Sequence, residues 1–151
     1  MTPILSQRVS YIAGMFQTSA TPARMDLFED RLVITTVHKE TGADVETVLD
    51  APLSDITVSG SAALLTFKVG EIKRRVDFSF AARAVMVRPG GVLALPAILR
   101  DSGVYTWLDE LRSRTVRVNY FSIGHTWAVA LGVVAIIIVA VAVIGINNMG
   151  S

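Results

Sequence analysis

The sequence predicts an α+β protein: an antiparallel sandwich or barrel closed by one C-terminal helix, followed by a single transmembrane helix. Three observations predict this fold class. Short β-type segments separated by turn residues fill positions 24–79, an amphipathic helical stretch lies at 104–114, and an uninterrupted apolar run occupies 126–146. Strands at this close spacing, with no helical segments between them, favour an antiparallel sandwich or barrel over a parallel sheet.

The clearest predicted element is a hairpin at residues 63–78, ALLTFKV–GE–IKRRVDF. Its two-residue Gly70-Glu71 loop suits a type II′ turn, which needs a positive φ at its first position. This loop fixes the strand register and therefore the composition of both faces. One face pairs Val69 with Ile72, Phe67 with Arg74 and Leu65 with Val76. The other face pairs Lys68 with Lys73, Thr66 with Arg75 and Leu64 with Asp77.

Arg74 is the one charged residue on the predicted apolar face of this hairpin. It lies near the turn, where a long side chain can bury its stem and keep its charged end in water. The sequence therefore predicts that Arg74 snorkels to solvent.

The last helix is predicted from the segment VYTWLDELRSR, which follows an N-cap pair at Asp101-Ser102. Four apolar residues recur at i, i+3, i+4 and i+7 and would cover one face of the sheet. They are Val104, Trp107, Leu108 and Leu111. Trp107, the largest of them, is predicted to be the plug of the core. Residues 80–101 give no clear pattern, and Pro96 limits any helix there to a short one.

The N-terminal stretch has apolar residues at spacings of four, three and four, namely Leu5, Val9, Ile12 and Phe16. This pattern predicts a short amphipathic helix. Packing of that helix on its own domain is favoured over a position on a membrane surface.

A resemblance to a known family is carried by four strand-and-turn phrases: LFEDRLVIT at 27–35, APLSDITVSGSAALLTFKVG at 51–70, RRVDFS at 74–79 and TWLDEL at 106–111. They resemble the pleckstrin-homology-like (PH-like) superfold, including its bacterial PH-like and GRAM-like members. The resemblance covers about residues 24–115. It implies a PH-like sandwich closed by a C-terminal helix, and a binding or scaffolding module.

The apolar run at 126–146 contains no charged residue, Asn, Gln or Pro. A helix of this length covers roughly 30 Å, the thickness of a bilayer core, so we expect it to span a membrane. Arg112, Arg114 and Arg117 precede the run and no charged residue follows it, which predicts a cytoplasmic N-terminal domain at the inner membrane. Four residues would form an aromatic and polar belt at the interface: Tyr120, Phe121, His125 and Trp127.

These features divide the chain into five predicted parts. They are an N-terminal amphipathic segment (1–23), a PH-like cytoplasmic domain (24–118), a juxtamembrane segment (119–125), the transmembrane helix (126–146) and a short outer tail (147–151). Along the predicted transmembrane helix, small residues follow one side: Ala128, Gly132, Ala135, Val139, Ala142 and Gly145. Such a seam lets helices approach closely, so it predicts packing on a second copy or on a partner subunit.

Composition excludes several classes of function. The net charge is +1, which argues against a strongly basic nucleic-acid binder. The absence of cysteine excludes disulfides, thiolate nucleophiles and cysteine-based metal sites. The sequence contains no HExxH, GxSxG, P-loop or GxGxxG motif, so neither an enzyme, a cofactor nor a metal is expected. Asp26, Glu29 and Asp30 are attributed to a turn, and His38 to a solvated strand end.

The candidate functional residues are Lys68, Lys73 and Arg75, on the outward face of the hairpin. Like charges directly opposite each other on neighbouring strands cost roughly 0.2–1 kcal/mol. A tolerated Lys68–Lys73 pair suggests an anionic surface that compensates this cost. In the alternative reading, Glu71 and Asp77 neutralise the patch and it is merely solvated.

The predicted function is a non-enzymatic, membrane-anchored PH-like scaffold or accessory subunit of a larger bacterial membrane-protein complex. Its expected partners are other membrane-protein subunits, or a second copy through the transmembrane helix, and no nucleic acid. The alternative is a membrane-held sensor that binds a lipid or peptide through the basic hairpin face, with anionic lipid as a further partner. A small phage- or toxin-type membrane-active protein is a weaker third interpretation.

Overall fold

The computed structural model of the chain describes residues 2–13, 20–79 and 94–121. The chain divides into two compact units, residues 1–120 and 121–151. In chain order, the described elements are β1 (Leu5–Ile12), β2 (Ala20–Leu27), β3 (Arg31–Val37), β4 (Asp44–Pro52), a 3₁₀ turn (Leu53–Asp55), β5 (Ile56–Ser61), β6 (Leu64–Val69), β7 (Ile72–Asp77), α1 (Leu95–Asp101), α2 (Val104–Ser113) and β8 (Arg117–Phe121).

The described strands form one open sheet in the order β4-β3-β2-β1-β7-β6-β5-β8. The pairings with an established register are antiparallel. The predicted fold class was an antiparallel PH-like sandwich or barrel closed by one C-terminal helix. It is wrong, because the sheet is open. A barrel closes only when its end strands hydrogen-bond to each other. Here β4 neighbours only β3, and β8 neighbours only β5, among the described strands.

β1 joins the two halves of the sheet. It pairs with β2 along its whole length, and its residues Ser10–Ile12 also pair with β7. The predicted N-terminal amphipathic helix is therefore wrong, since Leu5–Ile12 form a strand, and Phe16 lies outside the described residues. Leu5 and Val9 are four residues apart, and this spacing places residues on one face of a strand as well as on one face of a helix. Only the step of three from Val9 to Ile12 separates the two patterns, and it places Ile12 on the opposite face of β1.

The β6–β7 hairpin has the predicted register at every pair, from Val69 opposite Ile72 to Leu64 opposite Asp77. Gly70 has a φ of 56°, and Glu71 is not among the described residues with positive φ, which is the pattern of a type II′ turn. The inward side chains Leu65, Phe67 and Val76 are all fully buried. A loop of two residues with glycine first was thus sufficient to predict both faces.

Trp107 is the core plug that the sequence predicts. The described helix α2 carries it with 0% of its surface exposed, beside Val104, Leu108 and Leu111. Its indole Nε1 donates a hydrogen bond of 2.8 Å to the side-chain oxygen of Gln7 in β1. The Gln7 amide nitrogen in turn donates one of 2.6 Å to the carbonyl of Ser102, between α1 and α2. The first strand and the two helices are therefore joined through the side-chain amide of Gln7.

The structure corrects the predicted position of Arg74. Its Nε donates a hydrogen bond of 2.8 Å to the carbonyl oxygen of Val48 in β4. The side chain thus reaches from β7, in the middle of the strand order, to the strand at the end of the sheet, while the residue stays partly exposed to water. The contact satisfies one carbonyl of an end strand, whose outer row of backbone groups has no neighbouring strand in the described chain.

β8 lies where the sequence predicted a juxtamembrane segment. The Tyr120 hydroxyl donates a hydrogen bond of 2.6 Å to the carbonyl of Ala62, and its ring meets Tyr105 edge-on at 6.2 Å. Burial is the main reason that the pKa of Tyr120 is raised above its usual range. Tyr120 is thus a packing residue and not part of an interfacial belt. His125 and Trp127 lie outside the described residues.

The membrane prediction is corrected as well. Within residues 2–13, 20–79 and 94–121, no helix is long and apolar enough to cross a membrane. The longer of the two described helices has 10 residues and covers about 15 Å, half of what a bilayer core requires. The fold class with a transmembrane helix, and the single-pass inner-membrane location that depended on it, are therefore not supported. The predicted span 126–146, its small-residue seam and the tail 147–151 lie outside the described residues.

Replacing Trp107 by alanine should lower the free energy of unfolding by roughly 3–5 kcal/mol, because it leaves a cavity and removes the donor that bonds to the Gln7 side-chain oxygen. Urea denaturation followed by circular dichroism measures this loss. Thr106→Ala is the matched control, since Thr106 is the exposed neighbour on the same helix. Equal stability of the two variants would contradict the role of Trp107 as the plug.

Replacing Arg74 by methionine keeps the stem but removes the bond to Val48. We expect a loss of about 1–2 kcal/mol and faster amide hydrogen exchange in β4, because a charge-assisted hydrogen bond is lost. Arg117→Met is the control: Arg117 is exposed in β8 and its side chain makes no hydrogen bond in the described chain. Unchanged exchange in β4 would show that the contact does not hold the end strand.

Candidate functional site

The outward face of β5, β6 and β7 carries three cations among hydroxyl groups. One row across the strands reads Thr57, Lys68 and Lys73, and the next reads Ser59, Thr66 and Arg75. We call Lys68, Lys73 and Arg75 the basic hairpin face. Directly opposed residues in an antiparallel pair have Cβ atoms about 5 Å apart, so the two lysines stand side by side.

The charges of the basic hairpin face have no counter-ion within the described chain. Neither Lys68, Lys73 nor Arg75 forms an ion pair there. Asp77, one of the two expected neutralising residues, is 2% exposed and its carboxylate accepts the amide of Ser79 at 3.0 Å. Glu71 lies in the turn and makes no ion pair in the described residues. The alternative in which these two carboxylates neutralise the patch therefore lacks structural support.

The opposite side of the same strands holds the basic hairpin face rigid. Leu65, Phe67 and Val76 alternate with the cations and are fully buried. Because both hairpin strands have a hydrogen-bonded neighbour on each side, the outward side chains start from a fixed backbone. Such preorganisation lowers the entropy that a binding surface loses when it meets its partner.

The acidic residues near the β2–β3 turn differ in their surroundings. Asp26 is buried and accepts hydrogen bonds from Ser6 at 2.5 Å and from Arg24 at 2.7 Å. Glu29 and Asp30 are exposed. No group of three or more metal-ligating side chains is present in the part of the chain that the structure describes. Glu29 and Asp30 lie in the predicted turn, whereas Asp26 lies in β2 and is paired within the sheet.

One further cation escaped the sequence analysis. Arg8 lies directly opposite Arg24 in the β1–β2 pair. Arg24 is neutralised by Asp44 and Asp26, both at 2.7 Å, and these two carboxylates raise its pKa above the usual range. The side chain of Arg8 has no ion pair in the described residues. The sequence analysis missed Arg8 because it interpreted the surrounding segment as a helix. A helix has no cross-strand neighbours, so the pairing of Arg8 with Arg24 could not be seen.

Comparison with known proteins adds no assignment. No protein-family model matches the chain, and no curated protein matches it significantly. The resemblance to the PH-like superfold therefore stays a prediction. What the chain does has to be argued from its own surface.

Lys73→Glu should raise the free energy of unfolding by about 0.5–1 kcal/mol at low salt, because it converts a like-charge cross-strand pair into an attractive one. Urea denaturation at two salt concentrations measures this gain, which should shrink as salt screens the charges.

The double variant Lys68→Glu/Lys73→Glu restores a like-charge pair and serves as the control for this prediction. It should return to the stability of the unmodified protein, and together with the single variant Lys68→Glu it completes a double-mutant cycle. A cycle with no coupling between positions 68 and 73 would mean that the two side chains do not repel each other.

Proposed function

We propose that this chain is a non-enzymatic binding module, a scaffold that docks onto an acidic surface of a partner protein. The observation that carries the proposal is the basic hairpin face, where two lysines stand directly opposite each other and no carboxylate of the described chain pairs with them. The non-enzymatic part rests on the absence of catalytic motifs from the sequence.

The energetics favour a compensating partner. The opposed lysines cost roughly 0.2–1 kcal/mol in the free protein. Each carboxylate that a partner places against a lysine or arginine contributes about 1.5–3 kcal/mol through a charge-assisted hydrogen bond. Two or three such contacts outweigh the cost, so the surface is better satisfied in a complex than alone.

A protein partner explains this surface better than a lipid partner. A basic residue near an anionic membrane contributes ~1 kcal/mol, so three of them contribute about 3 kcal/mol. This is less than the 4.1 kcal/mol or so that corresponds to a millimolar dissociation constant. Fixed carboxylates on a protein can instead form directed hydrogen bonds with side chains whose backbone is already ordered. Thr57, Ser59 and Thr66, in the same rows, provide further polar contacts.

The proposal is tested on the full chain with poly-L-glutamate as a defined acidic polypeptide, by titration calorimetry at low salt. The triple variant Lys68→Gln/Lys73→Gln/Arg75→Gln should bind at least about tenfold more weakly, since it loses three charge-assisted contacts. Binding by the unmodified protein should weaken as salt is added.

The control carries the same change in net charge at exposed positions elsewhere: Arg100→Gln/Arg112→Gln/Arg117→Gln. It should retain nearly all of the binding. Equal losses of binding in both triple variants would show that binding depends only on net charge, which would overturn the proposal. Binding to phosphatidylglycerol vesicles without binding to polyglutamate would overturn it in favour of a lipid partner.

A further inference from the structure

A cleft of about 110 Å³ lies beside the loop that joins β3 to β4. We call it the loop cleft. It is lined by β1, β2 and the loop together: Arg8, Val9, Pro22, Ala23, Val37, His38, Lys39, Glu40, Thr41 and Gly42. Its volume equals that of about four water molecules, which suits one small polar group.

Arg8 supplies the first donor of the loop cleft. Its cross-strand neighbour Arg24 is neutralised by two carboxylates, but the guanidinium of Arg8 has no hydrogen bond or ion pair in the described chain. A Cβ atom placed on Gly42 would lie 3.2 Å from Nη2 of Arg8, so the guanidinium rests against the loop. Gly42 has a φ of 69°, which allows the tight turn and this close approach together.

His38 supplies a second donor through its tautomer. Its Nδ1 accepts the backbone N–H groups of Glu40 and Thr41, each at 3.4 Å. A neutral imidazole whose Nδ1 accepts must carry its proton on Nε2, which is then free to donate. The loop itself is closed by two backbone bonds of 2.8 Å, from Gly42 to His38 and from His38 to Ala43. The ring is therefore held by the loop rather than by a ligand.

Lys39 and Glu40 set the charge of the loop cleft. Neither side chain forms an ion pair in the described residues. With His38 neutral, Arg8 and Lys39 contribute two positive charges and Glu40 one negative charge, so the lining carries a net charge of +1. A lining with this net positive charge attracts an anion, and Glu40 disfavours one that approaches from its side.

We propose that the loop cleft binds a carboxylate group of a small acid or of a peptide C-terminus. The planar guanidinium of Arg8 matches the two oxygens of a carboxylate. Nε2 of His38 and the ammonium of Lys39 offer further donors to the same group. This site uses residues distinct from the basic hairpin face, so it stands independently of the proposed function.

The test uses the ¹⁵N-labelled full chain, titrated at constant ionic strength with acetate, N-acetylglycine and the uncharged N-acetylglycinamide. Acetate and N-acetylglycine should shift the amide resonances of Thr41 and Gly42 saturably, with millimolar dissociation constants. N-acetylglycinamide should not shift them. Similar affinities for both carboxylates identify a small acid as the ligand, whereas tighter binding of N-acetylglycine identifies a peptide C-terminus. Tighter binding of inorganic phosphate than of either carboxylate would overturn the assignment.

Variants that remove either a positive or a negative charge from the lining show where the ligand binds. Arg8→Gln should weaken binding about tenfold and Lys39→Gln about threefold, whereas Glu40→Gln should tighten it about threefold because a repulsive charge is removed. Arg100→Gln, an exposed change of the same charge in α1, should leave it unchanged. Lys39 and Glu40 are exposed loop residues, so their variants remain informative even if Arg8→Gln fails to fold. Equal dissociation constants in all four variants, or a loss only in Arg100→Gln, would overturn the proposal.

Discussion

The structure depends on burying one large indole without leaving its N–H unpaired. An unpaired buried donor costs about 1–3 kcal/mol, which would cancel much of the gain from burying the ring. Gln7 resolves this conflict because its amide both accepts from Trp107 and donates to Ser102. A single side chain in β1 thereby fixes the helix pair against the sheet. The open sheet can then keep a covered core although its two end strands do not meet.

Sequence patterns predicted local geometry well where a turn determined it. The register of the β6–β7 hairpin follows from Gly70 alone, and the burial of Trp107 follows from the spacing of four apolar residues in α2. Patterns failed where two structures share a period. The spacing of Leu5 and Val9 fits a helix and a strand equally. The decision depends on pairing with β2 along the whole of β1 and with β7, about 65 residues further along the chain. Closure or opening of the sheet is likewise a property of its end strands, which no local pattern encodes.

The same difference applies to the candidate sites. The basic hairpin face was predictable because its three cations lie on two strands joined by a two-residue loop. The loop cleft was not, because Arg8 and Gly42 approach each other only through the successive registers of β1 with β2 and β2 with β3. The contact of Arg74 with Val48 was missed for a related reason. The sequence shows that an arginine is on an apolar face, but not which backbone carbonyl lies within its reach.

The central position of β1 constrains the order in which the protein can form during synthesis. Its contacts with Ser102 and Trp107 span 95 and 100 residues of chain. The meander from β1 to β4 can pair as it leaves the ribosome, but the second edge of β1 stays exposed until β7 has emerged. Contacts between distant residues carry a large loop-closure entropy and slow folding. The nascent chain therefore carries an unpaired strand edge through much of its translation, and this edge is where chaperone binding or misassembly would begin.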